Sequence, residues 1–123
     1  MKVAQQGSKM GEPGSPQPEP EMIKHCVFFR FRKDVQDAAI ADIMTRFEQL
    51  VGTIPGVLNV TAGTNVSPEG LDHGFTHGFV MDIESEQLRD AYLIHPEHTA
   101  ISEDLLPLLA GGIAGVTVFD LKA

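Results

Sequence analysis

The stretch Met22-Ile23-Lys24-His25-Cys26-Val27-Phe28-Phe29-Arg30-Phe31-Arg32 decides the fold. Ile23, His25, Val27, Phe29 and Phe31 alternate with Lys24, Cys26, Phe28, Arg30 and Arg32, and a period of two predicts a β-strand. Its middle is apolar on both sides, with Val27 and Phe29 opposed to Cys26 and Phe28. A strand of that kind is central in its sheet or covered on both faces. Phe28 therefore needs a cover that a small monomer does not readily supply.

On the C-terminal side the period changes to that of a helix. Ile40, Ile43, Met44, Phe47, Leu50, Val51 and Ile54 make one apolar stripe over roughly 35–53, with Asp34 and Asp37 as candidate N-caps. Gly52 and Ile54-Pro55-Gly56 stop that helix. A second strand is expected over 57–63, a polar loop over 64–74 and a third strand over 75–84, with His77, Phe79, Met81 and Ile83 on one face. Ser85 is placed to cap a helix through Leu88, Ala91 and Tyr92. His95-Pro96 breaks it, because a residue before proline avoids the α region, and Pro96 can open a second helical piece at its first position. That piece carries Ile101, Leu105, Leu106, Leu108 and Leu109 and ends or kinks near Pro107. A loop with Gly111, Gly112 and Gly115 precedes the last strand, 116–121. The order strand, helix, strand, strand, helix, strand is that of an α+β, ferredoxin-like βαββαβ domain with an antiparallel sheet. Helices cover one sheet face. The other, with Cys26, Phe28 and Val80, is most economically covered by a second copy stacked sheet to sheet.

On the N-terminal side, residues 1–21 are crowded with glycine and proline and lack bulky apolar side chains, so they read as a disordered or extended tail. Met22 is a candidate start of its own. The chain has 123 residues, 42% of them apolar, which suits one domain with a modest core. Its formal net charge of −8 argues against nucleic acid and against anionic membranes as partners, and no apolar run is long enough to span a bilayer. Cys26 is the single cysteine. With no intrachain disulfide and no apolar signal core at the N-terminus, the expected compartment is the cytoplasm. The N-x-S/T sequences at Asn59 and Asn65 are then chance.

The titratable candidates are five histidines and one tyrosine. His25 and His77 fall on strand faces expected to meet the helices. Tyr92 follows Leu88 on a helical stripe, and His95 and His98 flank Pro96. Such a set can line a pocket with Val27, Phe29, Phe47, Phe79 and Ile101. A histidine on an apolar face is more often a hydrogen-bonded core residue than a catalyst, which favours a structural role for His25 and His77. His95 can cap the turn, and His73 sits in a solvated loop. Tyr92 and His98 are the better functional pair, as a phenol donor and a proton-accepting imidazole. No metal is expected. His73 and His77 lie on a loop and a strand rather than on a helix, and no Cys/His zinc spacing exists. A nucleophile elbow, a phosphate loop and a dinucleotide-binding glycine pattern are also missing, and Cys26 should be buried and inert.

Ile23-Lys24-His25, Ile54-Pro55-Gly56-Val57, Gly74-Phe75-Thr76-His77, Ala91-Tyr92-Leu93-Ile94-His95-Pro96-Glu97-His98 and Val118-Phe119-Asp120 together resemble the stress-responsive A/B barrel (Dabb) family over residues 22–123. The resemblance implies a dimeric α+β barrel made of two ferredoxin-like halves. One plant member is a polyketide cyclase that works by aldol condensation without metal or organic cofactor. Its catalytic tyrosine and histidine match Tyr92 and His98, its further pocket histidine matches His25, and His77 matches a histidine at the same strand position. A second pocket tyrosine of that member is Phe47 here, and the loop before the last strand is longer and richer in glycine. Two readings follow: a homodimer that binds a small apolar or aromatic ligand, or a cofactor-independent cyclase-like lyase using Tyr92 and His98 for acid/base chemistry.

Overall fold

The computed structural model describes residues 22–123, so the expected tail over 1–21 lies outside the described residues. Strand β1 (Ile23–Phe29) is followed by helix α1 (Asp37–Glu48), strands β2 (Val57–Thr64) and β3 (His77–Ile83), helices α2 (Glu86–Leu93) and α3 (Pro96–Leu105), and strand β4 (Val116–Lys122). The sheet has the order β2-β3-β1-β4, and all its pairings are antiparallel. β1 thus sits between two neighbours, as its doubly apolar middle requires. Ile23, His25, Val27 and Phe29 face the helices, and none is more than 5% exposed.

The helices start and stop for local reasons. α1 begins later than its apolar stripe suggests. Asp34 is drawn off into an ion pair with Arg32 at 2.9 Å, and Gln36 is the N-cap, with no side-chain cap bond. Asp37 lies in the first turn, where its charge meets the positive end of the helix dipole. Gly56, at φ +91°, turns the chain into β2 directly beneath α2, where a Cβ would stand 2.7 Å from Leu88 Cβ. Ser85 caps α2 by accepting from the Leu88 N–H at 3.1 Å, and Pro96 occupies the first turn of α3. Short 3-10 turns at Leu106–Leu108 and Gly112–Gly115 replace the kink and loop expected there. β3 begins two residues later than expected, because Phe75 and Thr76 still belong to the loop.

The core lies between the sheet and the helices. Phe29, Phe47 and Phe79 form its aromatic centre, with ring centroids 4.6 Å apart for Phe47–Phe79 and 5.8 Å for Phe29–Phe47. The opposite sheet face is uncovered. Phe28, Phe119 and Leu121 are 40%, 58% and 49% exposed there. Cys26 lies on the same face and is half-buried rather than buried, because alternation places it beside Phe28 and away from the helices. The Phe28 ring lies over Gly78, where an added Cβ would stand 2.5 Å from Phe28 Cδ1. Among the described residues no helix is long and apolar enough to cross a membrane.

Candidate functional site

β1 points His25 into the helix–sheet interface, and the β1–β4 register sets Asp120 directly beside it. His25 Nδ1 and Asp120 Oδ1 are 2.7 Å apart. A carboxylate accepts, so Nδ1–H donates, and in the neutral ring the lone pair belongs to Nε2. Arg89 on α2 donates to the other carboxylate oxygen at 2.6 Å. The order Arg89–Asp120–His25 fixes the ring by charge-assisted bonds.

His98 lies in the first turn of α3, just past the break at Pro96. Its Nδ1 is 3.0 Å from the Leu93 carbonyl oxygen, which can only accept, so Nδ1 carries the hydrogen and Nε2 the lone pair. Ser102, one helical turn on, approaches Nε2 at 3.4 Å. Burial holds the His98 pKa below its ordinary 6.5, outweighing the opposite effect of the Leu93 bond, and the charge of His25 acts in the same direction as burial.

Tyr92 stands between the two imidazoles. Its ring centroid is 4.4 Å from that of His98 and 5.5 Å from that of His25, edge on. Tyr92 is fully buried. Burial pushes its pKa far above the ordinary 10, so the phenol keeps its proton. Its hydroxyl has no hydrogen-bond partner, the one such buried side-chain atom among the described residues. An unmet buried hydroxyl costs about 1–3 kcal/mol.

His25, Tyr92, His98 and Ser102 border a cavity of about 220 Å³ lined otherwise by apolar side chains, among them Val27, Phe29, Phe47 and Phe79. Seven of the ten expected pocket residues, Tyr92, His98, His25, Val27, Phe29, Phe47 and Phe79, therefore meet in one place, and three do not. His77 pairs with Phe29, four residues along β1 from His25, or about 13 Å of strand. Its ring packs edge on against Phe31 at 5.3 Å, and its Nδ1 bonds Thr76 Oγ1 at 2.8 Å. The expected convergence of His77 with the other histidines thus fails on distance along the strand. His95 is the N-cap of α3, and its Nδ1 is occupied in accepting from the Glu97 N–H at 3.1 Å. Ile101 turns into the core, 3% exposed, because Ser102 holds the position one turn above His98. His73 lies in the loop before β3, at φ +55°.

Sequence reasoning did not single out Asp120, Arg89 or Ser102. Asp120 had one usable signal, a charge at a position in phase with Val116 and Val118 on the inward side of the last strand. Arg89 and Ser102 carried no signal of their own. No three His, Cys, Asp or Glu side chains converge into a metal-ion group among the described residues.

Comparison with known proteins agrees with the fold. Residues 23–123 match the family model described as Stress responsive A/B Barrel Domain. Olivetolic acid cyclase of Cannabis sativa is 26% identical over 81 residues, covering 66% of this chain and 80% of that protein. The stress-response A/B barrel domain-containing protein HS1 of Arabidopsis thaliana is 28% identical over 100 residues, covering 81% of this chain and 88% of HS1. Among solved structures, a dimeric ferredoxin-like protein of unknown function from Jannaschia sp. CCS1 superposes with a TM-score of 0.76 at 24% identity, over 83% of this chain and 99% of that one.

Proposed function

The chain belongs to the stress-responsive A/B barrel family, and from that premise we propose that it is a homodimer which binds a small neutral, oxygen-bearing ligand in the His25–Tyr92–His98 cavity. The observation that carries the reading is the buried Tyr92 hydroxyl without a partner. A fold retains such a group at a cost, and a ligand oxygen placed against it removes that cost. The phenol donates, while Nε2 of His98, kept neutral by burial, accepts. The complementary ligand therefore carries one acceptor and one donor on an apolar body, as an enol or a phenol does. 2,4-Pentanedione, a small diketone with an accessible enol form, is a suitable probe. Titration followed by amide shifts should perturb residues around the cavity in the wild type, and Tyr92→Phe should weaken binding about tenfold, one hydrogen bond's worth. Equal affinities in the two proteins would defeat the reading.

The dimer closes, in this proposal, through the open sheet face. Phe28, Phe119 and Leu121 form an exposed apolar strip on a chain of net charge −8, and a layer over that strip completes the second side of the core. The Jannaschia relative is described as dimeric. A monomer by light scattering at micromolar concentration would overturn this part.

A second reading has its own support in the likeness to olivetolic acid cyclase. There His98 Nε2 removes a proton from an acidic C–H next to a carbonyl. Tyr92, held protonated by burial, donates a hydrogen bond to the carbonyl oxygen as it gains charge. Deuterium wash-in at the α-carbon of a simple ketone tests it: the reading predicts catalysis by wild type, lost in His98→Ala. Identical rates for the two proteins dispose of it.

A further inference from the structure

We propose that the cavity takes an amphiphile: a compact oxygen-bearing head at Tyr92, and an apolar chain that leaves over a rim whose length-sensing residue is Ile113. This rests on the ligand-binding reading above. At about 220 Å³ the cavity falls below the roughly 300–1,000 Å³ that encloses a drug-sized ligand, so only a small head fits inside. Leu93, Leu106, Ile113 and Val118 all line the cavity, yet they are 41%, 38%, 74% and 55% exposed. A residue that borders a cavity and faces solvent marks its mouth. Single exposed apolar side chains are ordinary. Four converging on one opening, from α2, the two 3-10 turns and β4, form a continuous apolar path from the cavity outward.

Ile113 is held at that mouth by a strap with fixed ends. The Ala110 N–H donates to the Arg30 carbonyl at 2.8 Å, and the Arg30 N–H donates to the Gly115 carbonyl at 2.8 Å. The Arg30 guanidinium donates to the Ala114 carbonyl at 3.1 Å. Gly115 is wedged into this junction: a Cβ there would stand 2.8 Å from Ala110 O and 2.9 Å from Arg30 O. Gly111 and Gly112, at φ +78° and +61°, supply the turn that lifts the strap. Ile113 is therefore positioned before any ligand arrives, which lowers the ordering cost of using it as a contact.

A series of diketones lengthened from one end, 2,4-pentanedione through 2,4-octanedione, tests the rim against the cavity. Affinity in the wild type should rise up to about fourfold per added methylene, the gain for burying each one. Ile113→Ser should remove most of that gain per methylene, and Ile113→Phe should restore it. A flat series with 2,4-pentanedione still bound overturns the rim and leaves the cavity reading intact. Failure of 2,4-pentanedione itself to bind removes the cavity reading, and the rim with it. Ile113→Ser matching wild type along the whole series overturns the assignment of Ile113.

Discussion

Two hollows lie on opposite faces of the same sheet, and they differ in kind. The larger, about 590 Å³, runs along the open face between Phe28, Val80 and the loop that carries Leu71 and Phe75. Two of the polar residues beside it are tied down. Asp72 accepts from Asn65 Nδ2 at 3.0 Å and from the Gly74 N–H at 2.8 Å, and Arg30 donates to the His73 carbonyl at 3.1 Å. The smaller, about 220 Å³, is lined in part by Tyr92, whose hydroxyl is the one buried side-chain polar atom without a partner among the described residues. Volume marks where a layer of structure stops. An unmet hydrogen-bonding group marks where chemistry is waiting. In the reading proposed above, the smaller hollow takes the ligand and the larger one lies on the face offered to a second copy.

The widest gap between the two faces is expected in stability. Phe29→Ala, on the helix side, should cost about 3–5 kcal/mol. Phe28→Ala, on the open side, should cost each protomer under about 1 kcal/mol and act instead by weakening self-association. Denaturation curves read against protein concentration separate these effects, and equal losses would break the comparison. Next comes Asp120→Asn, which strips the charge from the Arg89–Asp120–His25 chain and should cost about 1.5–3 kcal/mol. The counterpart beside the groove, Asp72→Asn on an exposed loop, should stay within about 0.5 kcal/mol. Urea midpoints of the two variants supply the test. Tyr92→Phe should move stability the other way, raising that of the ligand-free protein by about 1 kcal/mol, since it deletes an unmet hydroxyl and keeps the ring. A destabilised Tyr92→Phe would mean that the hydroxyl already has a partner in solution.

The smallest effect is in pH. The His98 pKa lies below 6.5 in the folded protein, so the unfolded chain binds the proton more tightly. Its contribution is constant above about pH 6.5, is lost as pH falls toward the lowered value, and levels off below that. The slope cannot exceed about 1.4 kcal/mol per pH unit for one proton. His98→Gln should flatten this decline between pH 7 and 5. A variant with the wild-type slope would place the titrating group elsewhere.

The domain was legible in the sequence because its signals are local. The alternation of 23–29, the cap at Ser85 and the break at Pro96 each follow from neighbours in the chain, and the family model over 23–123 agrees. The site was legible in part. Tyr92 and His98 are six residues apart, and the helix break brings them together. His77 was misplaced because alternation reports which face a residue takes, not how far along the strand it sits. The bond between Asp120 and His25 spans 95 residues and depends on strand register, which no local pattern encodes. His95 shows the converse: its place beside proline made it a candidate for the pocket, and the same place committed its ring nitrogen to the backbone.

The Phe28 ring seated on Gly78 has one more consequence. With no side chain at Gly78 the ring occupies the space a Cβ would take, and with β1 in the middle of the sheet it lies near the centre of the open face. In the proposed dimer a two-fold axis would present that ring from both sides, so each copy would seat its Phe28 beside the other's rather than upon it.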